Sequence, residues 1–258
     1  MSQYLFPENA ESSHVSHAVF EMSSTSKDRL WFDCQIGAVS PWALDLLLQA
    51  WEDAPADAAA KFHRSVIRMR QAGTLRGDMF ERQVLKHLDA ISSHHTFSIR
   101  SLSTSVTKQW VYPGPARRFT FELPAFAGAL NAAIENKEPL HLVPYNHNFP
   151  AVDSILYDPN SEVLTCIQIT TRDTHPIDVS GLQKIQGSLK RKSPLESLRL
   201  SHQGKPWRFI FIVPLAIEST FGVQPFQGDT AKGEWAGKVD QYILGMEEDT
   251  IFNRPTRM

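Results

Sequence analysis

Cysteine is scarce in this chain. Only Cys34 and Cys166 occur in 258 residues, in separate segments and without metal-binding spacing. A reducing compartment, cytosolic or nuclear, is the simple inference. Charge of one sign is lacking as well. The 26 Lys and Arg residues face 28 Asp and Glu, for a net charge of -2 and a pI near 6.6. The chain as a whole therefore carries no nucleic-acid footprint, and any basic surface must be local. No apolar run approaches the roughly 20 residues that a membrane-spanning helix needs. The segment Met1–His17 lacks the basic and apolar regions of a secretory signal. There is no internal repeat, no Gly-x-Ser-x-Gly elbow, no P-loop and no dinucleotide fingerprint.

What is present is a hydrophobic content of 42%, enough for a real core in one large or two small domains. Residues 1–28 are Ser-rich and polar, and read as a loose arm. Residues 29–76 read as a helical extension. Ser40-Pro41 starts a helix, Ser as N-cap and Pro in the first turn, with Trp42, Leu46, Leu47 and Ala50 on its stripe, and Asp53-Ala54-Pro55 breaks it. A second helix spans about 56–71 with Phe62, Val66 and Met69 inward, and Gly73 is its stop. Residues 77–258 read as an α/β domain. A helix from Gly77 to about Ile91 buries Phe80, Val84, Leu88 and Ile91. Strands are expected near 97–102, 109–112, 117–123, 140–143 and 207–213, and helices near 125–136 and 178–190. A short last helix is expected around Val239, Tyr242, Ile243 and Leu244.

The chain turns on Ala151–Arg172, AVDSILYDPNSEVLTCIQITTR. Two runs rich in Val, Ile, Leu, Thr and Tyr flank Asp158-Pro159-Asn160-Ser161, a set of turn formers, so the stretch reads as a β-hairpin. Pairing Tyr157 with Glu162 sets Asp153 opposite Cys166 and puts Asp153, Gln168 and Thr170 on one face. Polar groups then gather at the open end of a largely apolar hairpin. That pattern fits an ordinary amphipathic hairpin or a site. Glu81 is similarly open: it can close a capping box with Asp78 or point inward at a metal.

Glu81 on a helix, Asp153 at the start of one hairpin strand and Gln168-Ile169-Thr170 on the next follow one another in an order that resembles the PD-(D/E)XK nuclease core. The wording Asn148-Phe149-Pro150-Ala151-Val152-Asp153, with Gln168-Ile169-Thr170, His175-Pro176-Ile177 and Gly181-Leu182, is similar to the C-terminal nuclease-like domains of Crinkler and retrotransposon-hot-spot proteins. The resemblance covers about Gly77 to Gly245. It implies a restriction-endonuclease-like core, a mixed central sheet flanked by helices, here with a helical N-terminal extension. It also implies a metal-dependent nuclease acting on DNA rather than RNA, or else a catalytically reduced version that binds nucleic acid or protein as an effector module. Glu81 matches the helix acid, Asp153 the metal-binding Asp, and Gln168 the second acid. Thr170 stands where the family has Lys, and Lys184, one helix later, is the nearest replacement.

The chemistry behind this expectation is simple. A phosphodiester is cleaved by neutralising the phosphate and activating water. Mg²⁺, or Mn²⁺ in its place, supplies both when held by carboxylates and waters. Glu81, Asp153 and Gln168 are the expected metal ligands. Lys184 would stabilise developing charge and Thr170 would hold a water. Expected partners are DNA or another nucleic acid, with a homodimer allowed and no membrane, in an intracellular setting, nuclear or cytoplasmic. Arg100, Lys108, Arg117, Arg118, Arg172, Lys184 and Lys190-Arg191-Lys192 are candidates for a phosphate-tracking face, and Trp110 and Tyr112 for base stacking. Solvated charges and core aromatics are the competing account. His141, His147 and His175 flank the hairpin without any metal-site spacing.

Overall fold

The computed structural model describes residues 20–24, 34–38, 40–69, 72–146, 149–161, 163–200, 205–228, 235 and 237–252. The chain forms two compact units, residues 1–83 with 249–258, and residues 84–248. In the first, β1 (Phe20–Ser24) pairs antiparallel with β2 (Cys34–Ala38), so part of the expected arm is a strand. The rest of the expected arm lies outside the described residues. Then follow α1 (Pro41–Asp53), α2 (Ala56–Arg68) and the start of α3 (Gly73–Asp89). The Ser40 hydroxyl accepts the Ala43 N–H at 3.1 Å, the N-cap that the sequence predicts. The inward stripe of α1 differs from expectation. Leu47, Leu48 and Trp51 are buried, while Trp42 is 72% exposed. The Trp51 indole donates to the Ala59 carbonyl at 3.0 Å, fixing α2 against α1.

Gly73 opens α3 rather than closing α2. The reason is the apolar pair Leu75 and Met79, both buried in the first unit's core, which carries the helical stripe one turn upstream of Gly77. Asp78 consequently sits inside the helix, and the capping box with Glu81 has no helix start to cap.

The second unit is built on an eight-stranded mixed sheet. Its strands are β3 (His95–Ser101), β4 (Thr107–Tyr112), β5 (Arg117–Phe121), β6 (Leu140–Pro144), β7 (Ser154–Asp158), β8 (Val163–Ile169), β10 (Trp207–Pro214) and β12 (Val239–Met246), in the order β4-β3-β12-β10-β8-β7-β6-β5. A short parallel pair, β9 (Ile177–Asp178) with β11 (Phe226–Gln227), lies apart. The two helices that pack on the sheet's core are α4 (Leu123–Asn136) and α5 (Val179–Ser188). Strands β6, β7 and β8 form an antiparallel meander. The chain then crosses over through α5 to β10, which lies parallel to β8.

β4 and β5 are the two edges of this sheet, yet only Pro113–Ala116 joins them. Seven interstrand spacings would separate the edges of a flat sheet by about 33 Å. The step from Tyr112 to Arg117 spans at most about 18 Å. The sheet must therefore curl until its edges meet at this end. The Tyr112 ring indeed lies edge-on to the His141 ring of β6, 6.3 Å between centroids. Gly114 is required in the link, because a Cβ there would stand 2.5 Å from the Ile91 carbonyl oxygen.

One sheet face carries the main core, with Phe126 and Leu130 of α4, Leu182 and Ile185 of α5, and Phe209 and Phe211 of β10. β10 is central, as its WRFIFIV run predicts. The expected final helix is instead β12, registered along its whole length with β10, Trp207 against Val239 through Pro214 against Met246. Its apolar residues fit a helical stripe equally well. The open edge of β10 decides the matter, because a strand there satisfies backbone groups that a helix would leave buried and unpaired.

Candidate active site

The hairpin exists, with its register shifted from the expected one. Tyr157 pairs with Leu164 rather than Glu162, which lies outside the described residues, and Asp158 pairs with Val163. The shift is two residues, so every side chain keeps its face. Its consequence is to move Asp153 from opposite Cys166 to beside Gln168. The Asp158 carboxylate holds the turn by accepting the Asn160 N–H at 2.9 Å, a local bond that places the four-residue loop one position later than expected.

Asp153 lies one residue before β7, and its backbone N–H donates to the Ile167 carbonyl at 2.9 Å. Its Oδ2 accepts two hydrogen bonds, from the Gln168 Nε2 at 2.7 Å and from the Ile169 backbone N–H at 2.6 Å. Gln168 is buried, and Asp153 keeps only part of its surface. Burial is the dominant influence on the acid and pushes its carboxyl up to about 7, although the Ile169 and Gln168 bonds pull the other way. An enclosed carboxyl next to an amide is costly to ionise. Such perturbed acids concentrate at functional sites.

The backbone around this pair is tightly built. Ala151 takes φ 76, a left-handed conformation that costs a residue with a Cβ about 1 kcal/mol or more. Gly181 of α5 lies against it. A Cβ on Gly181 would fall 1.8 Å from the Pro150 carbonyl oxygen and 3.0 Å from the Ala151 Cβ. Only glycine lets α5 approach so closely, and that approach clamps the strained turn leading into Asp153. The Asp178 carboxylate caps α5 by accepting the Ser180 N–H at 2.8 Å.

Thr170 follows Gln168 on the same face. It is buried, and its hydroxyl accepts the Arg172 N–H at 3.2 Å. Lys184 lies on α5 three residues after Gly181 and is exposed. Among the described residues its side chain makes no hydrogen bond or ion pair with Asp153 or Gln168. Glu81 is partly exposed on α3 and belongs to the first unit. Thus the hairpin brings Asp153 and Gln168 together, with Thr170 adjoining. Among the described residues no three His, Cys, Asp or Glu side chains gather where they could hold a metal ion.

The other candidates separate clearly. Trp110 and Tyr112 are buried and stack within the fold against Phe97 and His141, so neither offers a face to a base. Arg118 bonds Asp89, Arg117 pairs with Glu138 at 3.9 Å, and Arg100 with Glu218 at 3.8 Å, so these three are engaged within the protein. His141 is fully buried with Nδ1 2.8 Å from Asp89. Burial, and then the Arg172 charge, lower the His175 pKa, and its backbone N–H is tied to Gln224 at 2.7 Å. His147 lies outside the described residues. The Cys166 thiol is pushed up to about 12 by burial, which makes it an inert core group. Residue type alone could not reveal the Ile169 N–H, the Ala151 strain or which of the two helix glycines, Gly181 and Gly187, meets a neighbour.

No protein-family model matches the chain, and no curated protein or solved structure matches it. Among the described residues no helix is long and apolar enough to cross a membrane.

Proposed function

We propose that the second unit is a PD-(D/E)XK-type domain that hydrolyses phosphodiester bonds, in DNA rather than RNA, with Asp153 as its principal acid. One observation carries this reading: Asp153 and Gln168 meet at 2.7 Å at the open end of the hairpin, around a carboxyl that burial pushes up to about 7. The donors there are oxygens of the kind that suit Mg²⁺ or Mn²⁺: the Asp153 carboxylate, the Gln168 amide oxygen once its side chain turns over, and the Ile169 carbonyl. A divalent cation so held would neutralise the phosphate and acidify an attacking water. The chain's own contribution is to orient Asp153 through the Ile169 N–H and to exclude water around it. Thr170 would hold a water, and Lys184, reaching from α5, would meet the phosphate. A nucleic-acid substrate sets the protein inside the cell, in the nucleus or the cytoplasm.

The test is cleavage of supercoiled plasmid in Mg²⁺ and in Mn²⁺ by wild type and by Asp153→Asn. Asparagine keeps both hydrogen bonds and removes the charge. We expect a loss of about 10²-fold or more, the scale on which single electrostatic groups matter in catalysis. Equal cleavage by the two proteins would falsify the assignment.

A second reading is favoured by two specific features. Thr170 stands where a lysine is needed, and Gln168 turns its N–H rather than its oxygen toward Asp153. On this reading the domain is catalytically reduced and binds nucleic acid. Wild type would then bind DNA with strong salt dependence and cleave nothing in either metal. Cleavage without metal would sink both readings.

A further inference from the structure

A second polar site lies on the opposite face of the sheet, near the other end of β8. A pocket of about 260 Å³ is lined by Val163, Lys205, Pro206, Arg208, Asp240 and Tyr242. Strand register builds it. Arg208 lies beside Thr165 of β8 on one side and Asp240 of β12 on the other, so all three share a face. Thr165 and Gln168 are three residues apart and therefore point to opposite faces. From across the sheet, Lys108 of β4 sits 5.6 Å over the Tyr242 ring, and its ammonium is 3.5 Å from the Tyr242 hydroxyl.

The guanidinium of Arg208 is the unusual group. It is half-buried, and its side chain has one hydrogen bond among the described residues, NH1 to the Thr165 hydroxyl at 3.3 Å. Among these residues no carboxylate lies within 4 Å of it. Burial lowers its proton affinity, although Tyr242 and then Asp158 and Asp240 act the other way. A planar fork of N–H groups that has lost part of its water and gained one long bond has donors to spare for a ligand. The natural complement is an oxyanion that accepts two parallel hydrogen bonds.

We propose that this pocket binds the phosphoryl group of a small hydroxylated phosphomonoester. Arg208 forks onto two phosphoryl oxygens, Lys205 takes a third, and Tyr242 forms the wall. Asp240 would repel a phosphoryl oxygen, so it faces the ligand's body and accepts a hydroxyl. The volume suits a ligand below drug size and is too small for a folded or duplex partner. A tetrahedral phosphoryl group is favoured over a carboxylate because its third oxygen lets it engage Lys205 while Arg208 holds the other two. This assignment stands apart from the nuclease reading, because it uses neither Asp153 nor Gln168.

Isothermal titration of the full chain with ribose 5-phosphate, inorganic phosphate and acetate at matched ionic strength tests it. We expect saturable binding of ribose 5-phosphate, weaker binding of phosphate and none of acetate. Arg208→Lys should weaken binding by at least about tenfold, since lysine cannot fork. Lys205→Ala, an exposed change that spares the fold, should weaken it several-fold. Acetate binding as tight as phosphate would reassign the pocket to carboxylates and overturn the phosphoryl claim. Non-saturable heats, or wild-type affinity in Lys205→Ala, would overturn the site itself. Should Arg208→Lys fail to fold, Lys205→Ala alone decides.

Discussion

Replacing Asp153 by asparagine should make the protein more stable, and increasingly so as pH rises. The carboxyl's usual pKa is 3.8 and its pKa in the folded protein is about 7, raised chiefly by burial. Between those values the folded state holds a proton that the unfolded chain has released. Stability therefore falls as pH climbs through this window and levels off above it. A gap of roughly three corresponds to a penalty of about 4 kcal/mol at pH 8 and above. The asparagine side chain carries no charge and keeps an oxygen for the Ile169 and Gln168 donors, so the variant escapes the penalty. Urea unfolding of both proteins from pH 4 to pH 8.5 reads the difference directly. The two should be alike near pH 4, and the variant should lead by an amount approaching 4 kcal/mol at pH 8.5. Millimolar Mg²⁺ should raise wild type toward the variant at high pH and leave the variant unmoved. A variant less stable than wild type at pH 8.5, or a gap that does not change with pH, would refute the claim that this acid is held against its own ionisation.

Two further expectations concern packing and the buried histidine. Gly181→Ala should cost about 1–3 kcal/mol or more, because its methyl would meet the Pro150 backbone, which cannot swing aside. Gly187→Ala on the same helix, where nothing lies within 4 Å, should stabilise by up to about 1 kcal/mol, and thermal melts of the pair isolate the clash from helix propensity. Asp89→Asn should have the opposite pH signature to Asp153→Asn. Burial alone would raise the Asp89 pKa, but the His141 hydrogen bond and the charges of His141 and Arg118 outweigh it and hold the acid below its usual range. Its contribution is present above the unfolded value and vanishes as pH falls through the folded one. The variant should lose about 1–3 kcal/mol at pH 7, a gap that closes toward pH 3 in the same urea titration.

How far the sequence speaks for this fold depends on the range of the interaction. Ser40, Asp178 and the Asp158 turn act within a few residues, and the elements they punctuate appear where the sequence predicts them. Asp153 and Gln168 were readable as one group because a single hairpin joins them, and a register error of two residues leaves the face intact. β12 was not readable, since Val239, Tyr242, Ile243 and Leu244 fit helix or buried strand alike until β10 supplies a partner. Met69 shows the same limit: it falls on the predicted stripe of α2, yet the helix ends before it and leaves it exposed. The Arg208 pocket is wholly non-local, because Thr165, Arg208 and Asp240 become neighbours only through parallel pairing. No spacing rule links residues so far apart along the chain.

The hairpin β3–β4 bonds to the rest of its sheet through β12, Ser101 beside Tyr242 and Arg100 beside Ile243. The hairpin emerges early in synthesis, while its docking strand is the last of the eight to leave the ribosome. A nascent chain halted short of Val239 would hold β10 with a bare flank and a hairpin without its strand partner in the sheet, the kind of unpaired edge that recruits other chains. For this unit, then, completing translation is itself a folding step, and a late stop codon would do its damage at residues 95–112.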